Sequence, residues 1–172
     1  MFNQNNESLN NYNQSTEKIL VLGVGNVLLQ DEGFGVHAAM EMSKENWSEN
    51  VEFIDGGTAG MELIYLFEDV SRLIIVDSID AKTEPGSIFK FKPDDIGNLP
   101  KGLGASFHDI GLLEVLRIAK TLDSLPDTVI FGIQPKTIDW GMELTPELEA
   151  KMGEVKKLVT EEIRKNQTSA AN

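Results

Sequence analysis

The chain has 172 residues, 41% hydrophobic and 25% charged, the balance of one soluble globular domain large enough to bury its own core. Its net charge of -13 argues against nucleic acid, which needs basic patches, and against an anionic membrane surface. With no cysteine and two histidines, it cannot build a thiol nucleophile, a disulfide, a thiolate metal site or a three-histidine zinc site, so any metal must lean on carboxylates.

Residues 1–16 are rich in Asn, Gln and Ser, and the first basic residue is Lys18. A signal peptide needs a basic start and an apolar core, so this segment is expected to be a disordered polar tail ahead of one domain over 17–165, with 166–172 a flexible end. No apolar run is long enough to span a bilayer, and a cytoplasmic location is expected. Residues 18–24 form a short continuous apolar run, the mark of a strand buried on both faces. A helix is predicted over 33–44, a strand over 51–54, a loop over 55–60 from its glycines, and a helix over 61–67. Leu73-Ile74-Ile75-Val76 is the clearest β-branched strand and ends at Asp77.

A loop is expected over 78–87, an edge strand over 88–91, and a Gly- and Pro-bearing loop over 95–107. Ser106 and Asp109 stand three apart, as in a capping box, ahead of a helix whose apolar stripe is Leu112, Leu113, Leu116 and Ala119. Residues 129–133 read as a strand. Thr145-Pro146 opens a last helix carrying Leu148, Met152, Val155, Val159 and Ile163 on one face. Strands alternating with helices predict an α/β three-layer sandwich, a twisted and mostly parallel sheet of about five strands with helices on both faces.

Ligands of such sheets sit outside the carboxyl ends of the strands. Three features fall there: Asp31-Glu32 after the first strand, Asp55-Gly56-Gly57 after the second, and Asp77 after the third. The turn Gly23-Val24-Gly25 resembles a nucleotide cradle only in part. Leu28 stands where the dinucleotide fingerprint needs a third glycine, and Asp31 and Glu32 would repel a pyrophosphate and attract a cation. Each candidate also has an ordinary role. Acids at a helix start favour the macrodipole, Asp77 suits a cap or turn, and His108 in a loop suits a structural contact. No HExxH, no GxSxG elbow and no P-loop is present.

Taken in order, the motifs resemble the maturation endopeptidases of nickel–iron hydrogenases. The matching stretches are Gly23 to Gly35, Asp55-Gly56-Gly57-Thr58-Ala59-Gly60, Asp77-Ser78, Pro85-Gly86, Ser106-Phe107-His108, Gly132-Ile133-Gln134-Pro135 and Leu144-Thr145-Pro146. The resemblance covers about residues 19–163. It implies an endopeptidase that removes a C-terminal extension from the hydrogenase large-subunit precursor after nickel insertion. It implies metal ligands at Glu32, Asp77 and His108. Two carboxylates and one imidazole should hold a divalent ion only loosely, so nickel is expected to be carried by the substrate, with zinc or cadmium able to substitute. Asp31 and Asp55 are the candidates for a general base. A conventional zinc peptidase and a non-catalytic nickel-binding chaperone stand as alternatives.

Overall fold

The structure is a computed structural model that describes residues 17–98 and 110–169. The expected tail over 1–16, the capping pair Ser106 and Asp109, and the candidate ligand His108 lie outside the described residues.

Five strands form one sheet: β1 (Lys18–Val24), β2 (Val51–Gly57), β3 (Val70–Ser78), β4 (Ile88–Phe91) and β5 (Asp127–Ile133). Their order is β2-β1-β3-β5-β4, parallel throughout except for β4, which pairs antiparallel to β5 at one edge. The helices are α1 (Phe34–Met42), α2 (Ile110–Thr121), α3 (Pro146–Glu149) and α4 (Met152–Ser169). Three further segments, Gln30–Gly33, Met61–Phe67 and Pro93–Asn98, are 3-10 turns.

The unbroken apolar strands bury both faces, and each face has its own core. Ile19 and Val21 of β1, Ile74 and Val76 of β3, and Phe131 of β5 pack against Phe34 and Ala38 of α1 and Val155, Val159 and Ile163 of α4. Leu20, Leu22, Leu73, Ile75 and Ile130 pack against Leu63 and Phe67 and against Leu112, Val115 and Leu116 of α2. Strand alternation therefore sorts the side chains into two cores, as a three-layer sandwich requires.

The structure departs from the sequence expectations in four places. Asp55-Gly56-Gly57 belongs to β2 and not to a loop: the register against β1 shifts between Gly23 and Val24, and Gly25 N–H donates to Gly57 O at 2.9 Å. Glycine at this point signals a bulge where composition suggests a turn. Met61–Phe67 is a 3-10 turn and not an α-helix. On α2 the buried stripe uses Val115, while Leu113 is only partly buried. The last helix is divided at Ala150-Lys151, where Lys151 N–H donates to Leu148 O at 2.9 Å in a tightened turn, and it runs on to Ser169, past the expected boundary at 165. Its apolar stripe nevertheless stays buried from Leu148 to Ile163.

At the amino edge, Glu162 of α4 is 4% exposed and collects three cations. Arg72 of β3 donates to it at 2.7 Å and also pairs with Asp127; Lys165 lies at 2.8 Å and Lys90 also bonds it. Burial alone would raise the Glu162 carboxyl pKa, but hydrogen bonds from Lys165 and Lys90 outweigh it and hold the value at about 2 against an ordinary 4.5. A depressed carboxyl stabilises the fold fully above its unfolded pKa, and this contribution is lost as pH falls through the folded value. The expected outcome is that Glu162→Gln lowers stability at pH 7 by about 3 kcal/mol, taking 1.36 kcal/mol per pKa unit, and flattens the acid dependence of Tm between pH 4.5 and 2. Parallel Tm–pH curves for the two proteins would contradict it.

Candidate active site

The chain leaves β1 in one direction and returns in the other. It reaches β2 through α1 on one face, then crosses to β3 on the far side of β1 through Met61–Phe67 on the opposite face. The carboxyl ends of β1 and β3 thus flank a topological switch point, where the connecting segments diverge and leave a crevice.

Two glycines press the segment after β1 down onto that point. Gly25 has φ +129, and a Cβ there would sit 1.8 Å from Glu32 O. A Cβ on Gly35 would sit 2.1 Å from Val76 O and 2.4 Å from Val24 O. No side chain fits either gap, so the 3-10 turn bearing Glu32 lies directly on the ends of both strands. Glu32 is half-buried, with Oε2 shielded from solvent. Asp77, the penultimate residue of β3, is 8% exposed, and its Oδ1 accepts from Ser78 N–H at 2.7 Å. Both carboxylates stand at the carboxyl edge over the switch point.

Asp55 stands elsewhere. It pairs with Gly23, which in turn pairs with Val76, so β1 separates it from β3 by two inter-strand spacings, about 10 Å. Alternation sends Asp55 to the α1 face with Val51 and Phe53, whereas Asp77 follows Leu73 and Ile75 to the α2 face. Asp55 is exposed there. The described residues hold no cluster of three or more acids or histidines that could bind a metal, and His108, the third expected ligand, lies outside them.

Asp31 is fully buried and wholly engaged. Its Oδ2 accepts from Lys136 N–H and Thr137 N–H, both at 3.0 Å, and from the Thr145 hydroxyl at 2.9 Å; its Oδ1 accepts from Thr145 N–H at 2.7 Å. These four donors match the acceptor capacity of a carboxylate. They pin residues 134–145, between β5 and α3, against the β1–α1 loop. Thr145 precedes α3, yet its hydroxyl serves Asp31 and caps nothing.

Gln134 was not among the sequence candidates. It is 6% exposed, and its Oε1 accepts from Ala81 N–H at 2.7 Å and Thr83 N–H at 3.2 Å while its amide donates to Asp80 at 3.1 Å. It therefore shapes the loop that follows Asp77. The hydrogen bond from Lys82 to Asp80 is the main cause holding the Asp80 carboxyl below its ordinary pKa, partly opposed by burial and aided by Gln134. The available signal was a polar amide closing an apolar strand just before a proline, Gln134-Pro135.

The family model described as hydrogenase maturation protease matches residues 36–162. A hydrogenase expression/formation protein, HupD, of Bradyrhizobium diazoefficiens is 40% identical over 132 residues, covering 75% of this chain and 69% of that protein. HupD of Rhizobium leguminosarum bv. viciae is 41% identical over 134 residues, covering 74% of this chain and 65% of that protein, so the matched region spans about two thirds of such relatives. Among solved structures, the hydrogenase maturating endopeptidase HybD from E. coli superposes with TM-score 0.76 at 33% identity, covering 86% of this chain and 93% of that one.

The bonding of Asp31 has a direct consequence for stability. Asp31→Ala strands buried amides and removes hydrogen bonds to a charged acceptor, each worth roughly 1.5–3 kcal/mol. The expected loss is about 3 kcal/mol or more, roughly 10 °C in Tm. Amide hydrogen exchange should rise selectively across 134–145. Unchanged protection there would show that Asp31 does not hold that segment.

Proposed function

This chain belongs to the hydrogenase maturation protease family, and we propose that it removes a C-terminal extension from the large-subunit precursor of a nickel–iron hydrogenase after nickel insertion. The supporting observation is the placement of Glu32 and Asp77, two shielded carboxylates over the β1/β3 switch point. With His108 from the segment ahead of α2, they make an oxygen/nitrogen donor set suited to a borderline divalent ion. Nickel enters as part of the substrate. Two hard carboxylates and one imidazole hold such an ion loosely until the substrate's own ligands share it, so binding energy is realised only with a loaded precursor. An ion so held supplies Lewis acidity to a nearby carbonyl or water. Zinc or cadmium can occupy the same donor set.

In this reading Glu32 and Asp77 hold the substrate's metal, and Asp31 is a positioning residue. Its four hydrogen bonds commit it to the loop over 134–145 and leave it poorly placed to take a proton. The expected location of this activity is the cytoplasm. No helix of the described residues is long and apolar enough to cross a membrane.

The test offers metal-stripped protein two precursors, one loaded with nickel and one without, with chelator present, and follows precursor mass. Only the loaded precursor should be shortened. Glu32→Gln and His108→Ala should each reduce processing by about tenfold or more, since losing even an outer-shell partner of a metal ligand typically costs about 10–100-fold in metal affinity or activity. Equal cleavage of both precursors would replace this reading with an ordinary hydrolase. Tight binding of the loaded precursor without a mass change would replace it with a chaperone.

A further inference from the structure

A second feature of the carboxyl edge is apolar, exposed and rigid. Leu28, Ile138, Trp140 and Met142 are four of the seven large hydrophobic side chains that stand exposed among the described residues, Trp140 at 78% and Met142 at 63%. They come from two segments distant in sequence that the backbone stitches together. Gly141 N–H donates to Leu28 O at 3.0 Å, Gln30 N–H donates to Gly141 O at 2.8 Å, and Leu29 and Gly141 form an isolated parallel bridge. Asp31 then pins the same loop at Lys136, Thr137 and Thr145. Exposed loops usually carry small polar residues. Here a tightly bonded one carries a tryptophan, a methionine and an isoleucine, the composition of a binding hot spot whose ordering cost is already met.

The ledge continues into a groove of about 560 Å³ between α1 and the segment leading into α4. Met40, Met142 and Met152 line it, side chains that repack easily around apolar anchors. Its rim carries Glu143 and Glu149 against a single Lys44; Glu41, also on the rim, is shared with Lys156, as is Glu45. Asp139 adds a further acid beside Trp140. The surface therefore favours apolar side chains flanked by basic ones, in keeping with the net charge of -13. Leu28 lies four residues before Glu32, on the same segment between β1 and α1.

We propose that this ledge and groove dock a segment of the hydrogenase large-subunit precursor in which apolar anchors are flanked by Lys or Arg, separately from the nickel grip. The proposal rests on the protease reading above and adds a second point of substrate contact. Docking here holds the precursor by its protein surface while Glu32 and Asp77 engage its metal, so the two contributions are separable in kinetics.

The experiment uses the full chain and nickel-loaded precursor. The variants are Trp140→Ala, Met142→Ala and their double, with Leu122→Ala as a control at an exposed apolar site at the far end of α2. The double variant should raise KM by about tenfold or more with kcat within about twofold, keep the wild-type Tm, and leave Leu122→Ala like wild type. Raising salt should raise the wild-type KM and affect Glu143→Lys less. Binding is read independently by tryptophan emission. The chain's one other tryptophan, Trp47, is partly buried against Phe53, so a blue shift on adding precursor that disappears in Trp140→Phe reports burial of Trp140. A blue shift without processing would keep the docking surface and overturn the protease reading. Normal KM in the double variant with no blue shift would overturn the docking surface and leave the protease reading standing. A wild-type dimer dissolved by the same substitutions would assign the ledge to a second copy of the chain and overturn the proposal.

Discussion

The carboxyl edge depends on one buried carboxylate. Burying an ionised group costs several kcal/mol unless its oxygens are fully bonded. Asp31 meets this with three backbone amides and one hydroxyl, all drawn from a segment more than 100 residues away in sequence. The demand runs in both directions. The charge cannot be buried without residues 134–145 closing over it, and those residues cannot orient their amides without the charge. Gln30, just before it, sits at φ +51, a left-handed conformation that costs a non-glycine residue of order 1 kcal/mol. That strain persists because Gly141 and Asp31 fix the chain on either side of it.

The two ends of the sheet use charge differently. At the amino edge, Glu162 is surrounded by Arg72, Lys90 and Lys165, and the network joins α4 to β3 and to the edge strand β4. Its Coulombic gain goes into stability. At the carboxyl edge, Asp31 and Gln134 are satisfied by backbone dipoles, which fix loop shape without placing a cation near Glu32 or Asp77 through those bonds. The same preference for shape over charge appears in Gly25 and Gly35, where backbone meets backbone and no side chain intervenes.

Much of the fold was legible because both sheet faces are buried. Continuous apolar runs marked β1, β3 and β5, and alternation along them assigned side chains to two cores. Local composition failed where a residue served a long-range purpose. Asp55-Gly56-Gly57 has the composition of a turn but carries a bulge at the end of β2. Asp31 and Glu32 are neighbouring acids with the same local claim to function. What separates them is the loop over 134–145, which buries one and leaves the other half-buried. Gln134 and the exposed Trp140 gave no periodic signal, because neither lies on a regular element whose pattern would expose it. The position of the switch point was likewise absent from the sequence, since strand order is a property of packing and not of spacing. His108 was a candidate by residue type, with a structural contact the more ordinary role; the family resemblance shifted it toward a ligand, and it lies outside the described residues.

Adjacency along the chain gives these parts a mechanical relation. Asp31 and Glu32 are consecutive residues of one 3-10 turn, so whatever moves the loop over 134–145 also moves the turn that bears Glu32. Trp140 and Met142 ride on that loop, and Leu28 rides on the same turn's approach. A partner seated on the ledge and a metal gripped at Glu32 therefore load one stiff unit from two sides. Stiffness favours binding by preorganisation, with little rearrangement needed before the edge can be used. It also makes the edge demanding. A substrate that presents a surface without a metal, or a metal without the surface, forms only part of the contact. On the proposed reading, discrimination follows from requiring both at a fixed separation.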